Sequence, residues 1–504
     1  MRRSSFRVML PLGIIFLSTL FLINSSDACH PVDQEALLHF KAGITSDSTN
    51  ALGSWVPTTD CCNSWNGIFC NPEGRVFKVT PAVCNDDSFI EVPMSGTISP
   101  FLGNLSYLET LWFTKLKNLT GFIPPELGKL SKLTDLRLDH NQLSGDTSWF
   151  SSFVSLNILV LSDNNLTGNI SSICKIRSMM MLNLNNNKFT GMLPQDMGIT
   201  MPNLNSLYLS NNNFTGKIPP SLGNPIPHMG LSELDLSRNK LTGPIPSDLL
   251  NIKSNIHSLD LSFNPLGLIN IPAWMQGLRQ LTSLSLAKTG IKGPLPRWLP
   301  RLSPNLQKLN LAENELTGPL PSWIANFTKL RELNLSCNAF ESSIPAEFQD
   351  MYPLTTLDLH SNKFSGGLKP ILGAYYDEVL CYAYDAIDVS NNYFSGPIEE
   401  NIGDEGSLGY ITSLKLSNNL LEGTIPKSIG KLASLKALLL ANNRLSGGIP
   451  GEVSNLTLLH EFDVSGNHLS GSIPRFNASV PISEKAFLGN PGLCGAPLLP
   501  CKKP

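Results

Sequence analysis

The chain has 504 residues, 41% hydrophobic and 15% charged, with a formal net charge of −3. A length of this order suggests about three globular domains. The near balance of 37 basic and 40 acidic residues excludes nucleic acid and an anionic membrane surface as electrostatic partners, and the ten cysteines agree with an oxidising compartment.

In chain order, Arg2, Arg3 and Arg7 precede an apolar run, Val8 to Ile23, and Ser26-Asp27-Ala28 supplies a cleavage flank. Residues 1–28 are therefore predicted to be a secretory signal, with Cys29 as the first mature residue; the run is short for a membrane span. Its removal leaves 37 − 3 = 34 bases and 40 − 1 = 39 acids, a charge of −5. The segment Asp33 to Lys41, with Leu37, Leu38 and Phe40, reads as an amphipathic helix. Cys29, Cys61, Cys62 and Cys70 lie around Trp55 and Trp65; four cysteines permit three pairings.

A repeat follows. One clear copy is Leu133, Leu136, Leu138, Asn141, Leu143, Gly145, and the next is Leu156, Leu159, Leu161, Asn164, Leu166, Gly168. Asn141 to Asn164 is 164 − 141 = 23 residues, and Asn187 to Asn212 is 212 − 187 = 25. About sixteen copies with L-x-x-L-x-L-x-x-N-x-L and this period predict a leucine-rich repeat solenoid, which overrides the count of globular domains. The L-x-L alternation sends leucines inward on a short parallel strand and the residues between them outward. Asn212, Asn239, Asn264, Asn314, Asn338 and Asn362 follow these strands. An amide both donates and accepts, so stacked copies should form a ladder. The run L-x-G-x-[IL]-P comes next, as in Leu241, Gly243, Ile245, Pro246, and predicts extended chain with short helical turns on the convex side. Thr289 replaces a ladder Asn, Ser342 replaces the usual Gly, and the copies from Val76 to Leu119 are irregular.

The L-x-G-x-[IL]-P extension resembles the plant-specific class of leucine-rich repeats, found in receptor kinases, receptor-like proteins and polygalacturonase-inhibiting proteins. The resemblance covers roughly residues 29 to 501. The spacing W…D-C-C…W-x-G-I-x-C is similar to the N-terminal cap of that class, and implies bridges Cys29–Cys61 and Cys62–Cys70. Phe487-Leu488-Gly489-Asn490-Pro491-Gly492-Leu493-Cys494-Gly495 with Cys501 resembles its C-terminal cap and implies Cys494–Cys501. The expected organisation is a signal at 1–28, a cysteine-rich cap at 29–74, repeats over 75–475 with an insertion near 367–384, and a cap at 476–504. The partners of Cys84, Cys174, Cys337 and Cys381 stay open.

The insertion lengthens one spacing to 392 − 362 = 30 residues, Asn362 to Asn392. It carries Tyr375, Tyr376 and Tyr382, a residue type suited to interfaces. Its placement is similar to the island that interrupts receptor-like proteins near their C-terminal cap, though it is far shorter. These tyrosines either form a recognition edge or fill the convex core. Nine N-x-[ST] acceptors follow the signal: Asn104, Asn118, Asn165, Asn169, Asn213, Asn326, Asn334, Asn455 and Asn477. The end, Cys501-Lys502-Lys503-Pro504, reads as neither a span nor a lipid-anchor tail, and no kinase signature is present.

No catalytic constellation stands out. His460-Glu461 begins like H-E-x-x-H, but Val464 occupies the second His position. Asp235, Asp260, Asp358, Asp388 and Asp463 share the middle of L-x-L; acids aligned in this way can in principle hold a cation, but the expectation is that they make local polar contacts. No cofactor or resident metal is expected. The outward residues Arg137, His140, Tyr208, Arg238, His257, Phe263, Lys308, Arg331, His360 and Lys415 form a mixed-charge face suited to a protein, a peptide or a wall-derived glycan. The expected function is a secreted, non-enzymatic recognition protein of the plant apoplast or cell wall, in defence or developmental signalling, relying on a membrane co-receptor kinase to signal. The alternative is inhibition of microbial wall-degrading hydrolases, as the resemblance to polygalacturonase inhibitors implies. A structural wall protein is a third reading.

Overall fold

The computed structural model describes residues 28–81, 84–85, 88–89, 92–224, 230–252, 255–302, 304–351, 353–373, 384–404, 408–476 and 482–501. The expected signal apart from Ala28 lies outside these residues, as do Cys381, Asn477, Tyr375, Tyr376, Tyr382 and the side chain of Cys84.

The chain enters through the helix Pro31–Ala42. Pro31 suits the first turn, where its missing N–H would have had no helical partner. The helix buries Asp33, Ala36, Leu37 and Phe40. Phe40 stacks on Phe113 at 4.5 Å, and Trp55 stacks on Trp65 at 5.5 Å. Asp33 is fully buried; its carboxylate accepts from Arg75 Nε (2.9 Å), Arg75 Nη2 (2.8 Å) and the Val76 amide (2.9 Å). That hydrogen bonding raises the Arg75 pKa above its already high ordinary value against the opposing effect of burial. The pair ties the helix to the first strand of the solenoid, Val76–Val79. Cys29 is bridged to Cys61 and Cys62 to Cys70 beside it.

Sixteen parallel strands then run from Val76–Val79 to Glu461–Asp463, and Ile68–Cys70 pairs antiparallel onto the first. The L-x-L pattern sets the register. Leu136, Leu159, Leu182, Leu207, Leu234, Leu259 and Leu284 lie opposite one another in turn, and all are buried. A slip by one residue would turn every leucine outward. Short strands after the Asn pair into flanking sheets, one of nine strands from Lys292–Gly293 to Gly492–Cys494. Short 3-10 turns such as Pro125–Lys129 and Ser322–Asn326 close the other side. The protein is thus a parallel-strand solenoid, and no helix among the described residues is long and apolar enough to cross a membrane.

The asparagines do form a ladder. Asn264 Nδ2 donates to Leu236 O (2.9 Å) in the preceding repeat and to Leu261 O (3.1 Å) and Ser262 O (3.2 Å) in its own, while Oδ1 accepts from Leu241 N (3.0 Å). Thr289 keeps one such bond, Oγ1 to Leu286 O at 2.7 Å, and Asn314 Oδ1 accepts the amides of Thr289, Gly290 and Ile291. The ladder runs on into the C-terminal segment: Asn490 Nδ2 donates to Val464 O (2.9 Å) and Oδ1 accepts from Leu469 N (3.0 Å). Cys494 and Cys501 are bridged just beyond. At the other end, Asn141 Oδ1 is buried without a hydrogen-bond partner. The preceding repeat turns differently there, with Lys115 and Lys117 at positive φ.

One regularity is absent from the leucine pattern. The residue before each ladder Asn has φ between 50° and 57° from His140 through Asn442, whatever its side chain: Arg238, Phe263, Glu313 and Cys337 as well as Asn. Bulky side chains are rare in this left-handed region. Here the turn holds the backbone, because the neighbouring Asn side chain bonds its own repeat and the one before it. Ser342 is similar: it takes φ 78°, matching Gly216 at 78° and Gly318 at 81°.

Candidate recognition surface

In-register pairing turns the outward strand positions into columns. Asp235 lies opposite Asp260, and Asp260 opposite Ser285; Asp358 lies opposite Asp388, and Asp388 opposite Lys415. Arg137, Tyr208, Lys308 and Lys415 stand on the strands. His257 and Arg331 come one residue before theirs, and His360 two residues after its own. His140, Arg238 and Phe263 occupy the left-handed turn along the sheet margin, so the expected face is a strand surface plus a lateral rail.

At the leading end, cations lie over aromatic rings. Lys78 Nζ is 5.2 Å from the Phe69 ring and 4.5 Å from the Trp112 ring, with Arg137 4.8 Å from the same indole. Tyr107 is faced by Lys132 at 3.6 Å and Arg75 at 4.6 Å. Such contacts hold long side chains in place at about 0.5–1 kcal/mol each when exposed. Arg137 is also held by Asp135 at 3.0 Å. Apart from Arg137, none of this group was expected: the strands Val76–Val79 and Thr110–Trp112 lie in irregular copies that hide the repeat. The available signal was Trp112 and Lys78 flanking inward Leu111 and Val79.

Along the middle, His140 sits between Asp139 (Nδ1, 2.9 Å) and Asp163 (Nε2, 3.4 Å). Arg238 stacks on Phe263 at 4.2 Å; Lys288 approaches the same ring at 5.6 Å and pairs with Glu313 at 2.7 Å. Lys308 pairs with Glu332 at 2.6 Å, and His257 Nδ1 is 3.1 Å from Ser232 Oγ. Tyr208 is half-buried and Arg331 exposed. Asp260 accepts from the amide and hydroxyl of Ser262. Burial pushes its carboxyl pKa up, partly offset by those bonds.

The trailing half holds the densest polar group. His360 Nδ1 is 2.6 Å from Asp358 Oδ1, and Nε2 is 3.3 Å from Cys337 Sγ. Lys415 Nζ is 3.5 Å from Asp388 Oδ2. Cysteine, histidine and aspartate in line resemble a nucleophile relay, but the thiol is poised against it. Burial pushes the Cys337 pKa up; a Ser361 hydrogen bond lowers it, and Glu313, Asp358 and Asp388 raise it. The reactive thiolate is thereby disfavoured. Cys174 is buried and its thiol is pushed up to about 12.

Of the acceptor asparagines, Asn104, Asn169, Asn326 and Asn455 are exposed, and Asn118, Asn165, Asn213 and Asn334 are half-buried. Asn334 Oδ1 accepts from the Ser336 amide and hydroxyl (3.0 and 2.7 Å).

Residues 30–71 match the leucine rich repeat N-terminal domain, and residues 203–225, 230–252, 304–364 and 410–469 match leucine rich repeat models. This is a leucine-rich repeat protein of the plant-specific class. It is 41% identical over 126 residues to polygalacturonase inhibitor 2 of Arabidopsis thaliana, covering 25% of this chain and 36% of that protein. It is 37% identical over 125 residues to the polygalacturonase inhibitor of Vitis vinifera, covering 25% and 34%. The matches span about a third of these relatives. Among solved structures, PEPR1 with AtPEP1 superposes with TM-score 0.63 and 27% identity over 91% of this repeat chain and 68% of that one. The plant peptide hormone receptor RGFR1 with RGF2 gives 0.61 and 30% over 75% and 62%. Two of these proteins are named as polygalacturonase inhibitors and one as a plant peptide hormone receptor.

Proposed function

We propose that this leucine-rich repeat protein is a secreted, non-enzymatic recognition protein whose concave sheet and lateral rail bind a peptide or protein ligand. The observation that carries the reading is the margin Arg238–Phe263–Lys288–Glu313 beside Tyr208. Its charged and aromatic side chains are displayed on a rigid backbone without serving the leucine core. Aromatic and arginine anchors with few lost rotamers are the usual carriers of interface energy. The likeness to the plant peptide hormone receptor RGFR1 in complex with RGF2 supports it. The disulfides at both ends agree with an oxidising compartment, for which the reading supplies the apoplast or cell wall. Signalling from there would go through a membrane co-receptor kinase, and the nine acceptor asparagines would carry glycans. The leader, cap, repeat and cap divisions at 28, 74 and 475 belong to this reading.

The test is affinity capture of ligands from plant extracellular fluid by the secreted protein, followed by binding to Arg238→Ala and Phe263→Ala. Each variant should secrete normally and bind the captured peptide at least about ten-fold more weakly, the loss of one hot-spot contact. Unchanged affinity in both would remove the rail from the ligand site. A second reading, inhibition of a polygalacturonase, is favoured by the stretches similar to two such inhibitors. It predicts dose-dependent loss of polygalacturonate cleavage on adding the purified protein; no loss with any of a panel of microbial enzymes would reject it.

A further inference from the structure

The five aspartates in the middle of L-x-L provide an internal comparison. Asp235, Asp260, Asp388 and Asp463 each accept from the amide of a serine two residues on: Ser237, Ser262, Ser390 and Ser465. At Asp358 that serine is replaced by His360, whose amide still donates to Asp358 at 3.1 Å and whose ring now joins the carboxylate. The neighbouring strand places Asp388 in the same column. One oxygen from each of Asp358 and Asp388 and one His360 nitrogen consequently lie within 4.8 Å of one another, all on half-buried side chains. His140 makes a useful contrast: Asp139 and Asp163 lie against opposite ring nitrogens, so its two carboxylates do not converge with one ring atom.

We propose that Asp358, His360 and Asp388 form a binding site for a divalent transition-metal ion of the zinc class on the concave sheet. An imidazole nitrogen with two carboxylate oxygens suits zinc, whereas calcium and magnesium call for all-oxygen shells. Metal–ligand lengths of about 2.0–2.2 Å set two ligand atoms about 3.4 Å apart in a tetrahedral shell, so Asp358 Oδ1 and His360 Nδ1, now 2.6 Å apart, must separate as the ion replaces the proton between them, while the Asp388 carboxylate draws in toward them. Half-buried side chains on adjacent strands can do so without moving the backbone. With Nδ1 toward the carboxylates, Nε2–H can donate to Cys337 Sγ, now 3.3 Å away. A partner on the far nitrogen fixes ring orientation at such sites. Three protein donors leave a coordination position toward the open face, where a carboxylate of a ligand or a water can enter. Lys415 is the resident competitor, since its ammonium lies 3.5 Å from Asp388 Oδ2. The site does not depend on which ligand the sheet recognises.

The experiment is calorimetric titration of the secreted, untagged full chain with zinc chloride. One ion per chain should bind with an affinity that excess calcium leaves unchanged. His360→Ser restores the serine used by the other four repeats and should fold; it should abolish that binding. Asp388→Asn keeps the acceptor for Ser390 and should weaken binding by about ten-fold or more. Lys415→Met should tighten it several-fold, and His140→Asn should leave it unchanged. No saturable zinc binding by the unaltered chain would overturn the site, as would equal binding by His360→Ser or displacement by calcium. Unchanged affinity in Lys415→Met would overturn the placement of the ion against Asp388.

Discussion

Asn264 shows what one side chain contributes to a stacked fold. It satisfies three carbonyls and one amide across two consecutive repeats, so its loss strands groups that have no water to turn to. Asn264→Ala should lower the opening free energy of the Leu241 amide by about 2–4 kcal/mol in hydrogen exchange. Asn141→Ala should cost about 1 kcal/mol less, because its oxygen already lacks a partner. Equal costs would mean that the amide nitrogen alone carries the ladder. The polar residues of the concave face do less for stability. Pairs such as Lys308–Glu332 are exposed, and such pairs contribute little.

At the scale of elements, the leading cap depends on one buried charge contact. Asp33 has no exposed surface and Arg75 little. Breaking such a pair leaves a buried charge and costs about 3–5 kcal/mol. Arg75→Leu should therefore raise hydrogen exchange and proteolytic cleavage across Pro31–Ala42 while amides beyond about Leu209 stay protected. Uniform loss of protection would show that the cap and the repeats unfold as one. The helix and the repeats were legible in the sequence because leucine spacing reports directly on which face is buried. The first strands were not, because Trp112, Phe113 and the positive-φ residues Lys115 and Lys117 break the spacing. Nor could spacing show that His140, Arg238 and Phe263 leave the strand for the margin: φ is imposed there by the following Asn, and the side chain carries no trace of it. The cluster at His360 was partly visible. Asp358 and Asp388 stood out as L-x-L acids, but their convergence with His360 depends on the register of two strands 30 residues apart.

For the whole molecule, each repeat touches only its neighbours, so stability is close to a sum of local terms. Unfolding in denaturant should then be non-coincident: tryptophan fluorescence, from seven residues that all lie between Trp55 and Trp323, and far-ultraviolet dichroism, reporting all repeats, should have different midpoints. Superimposable transitions would show that cooperativity spans all the repeats. The break at Thr289, where the ladder continues through a hydroxyl and a three-donor acceptor, is the first internal place to look for a boundary.

The left-handed rail has a bearing on how such a protein changes over time. Because neighbours dictate the backbone there, exchanging one bulky side chain for another leaves the local conformational penalty nearly constant, whether the position holds Phe263, Glu313 or Cys337. Mutation along that line is therefore close to neutral for folding and free to be judged by what the side chain meets outside. The molecule keeps its scaffold and its vocabulary on separate residues, and a lineage could rewrite one while the other stays fixed.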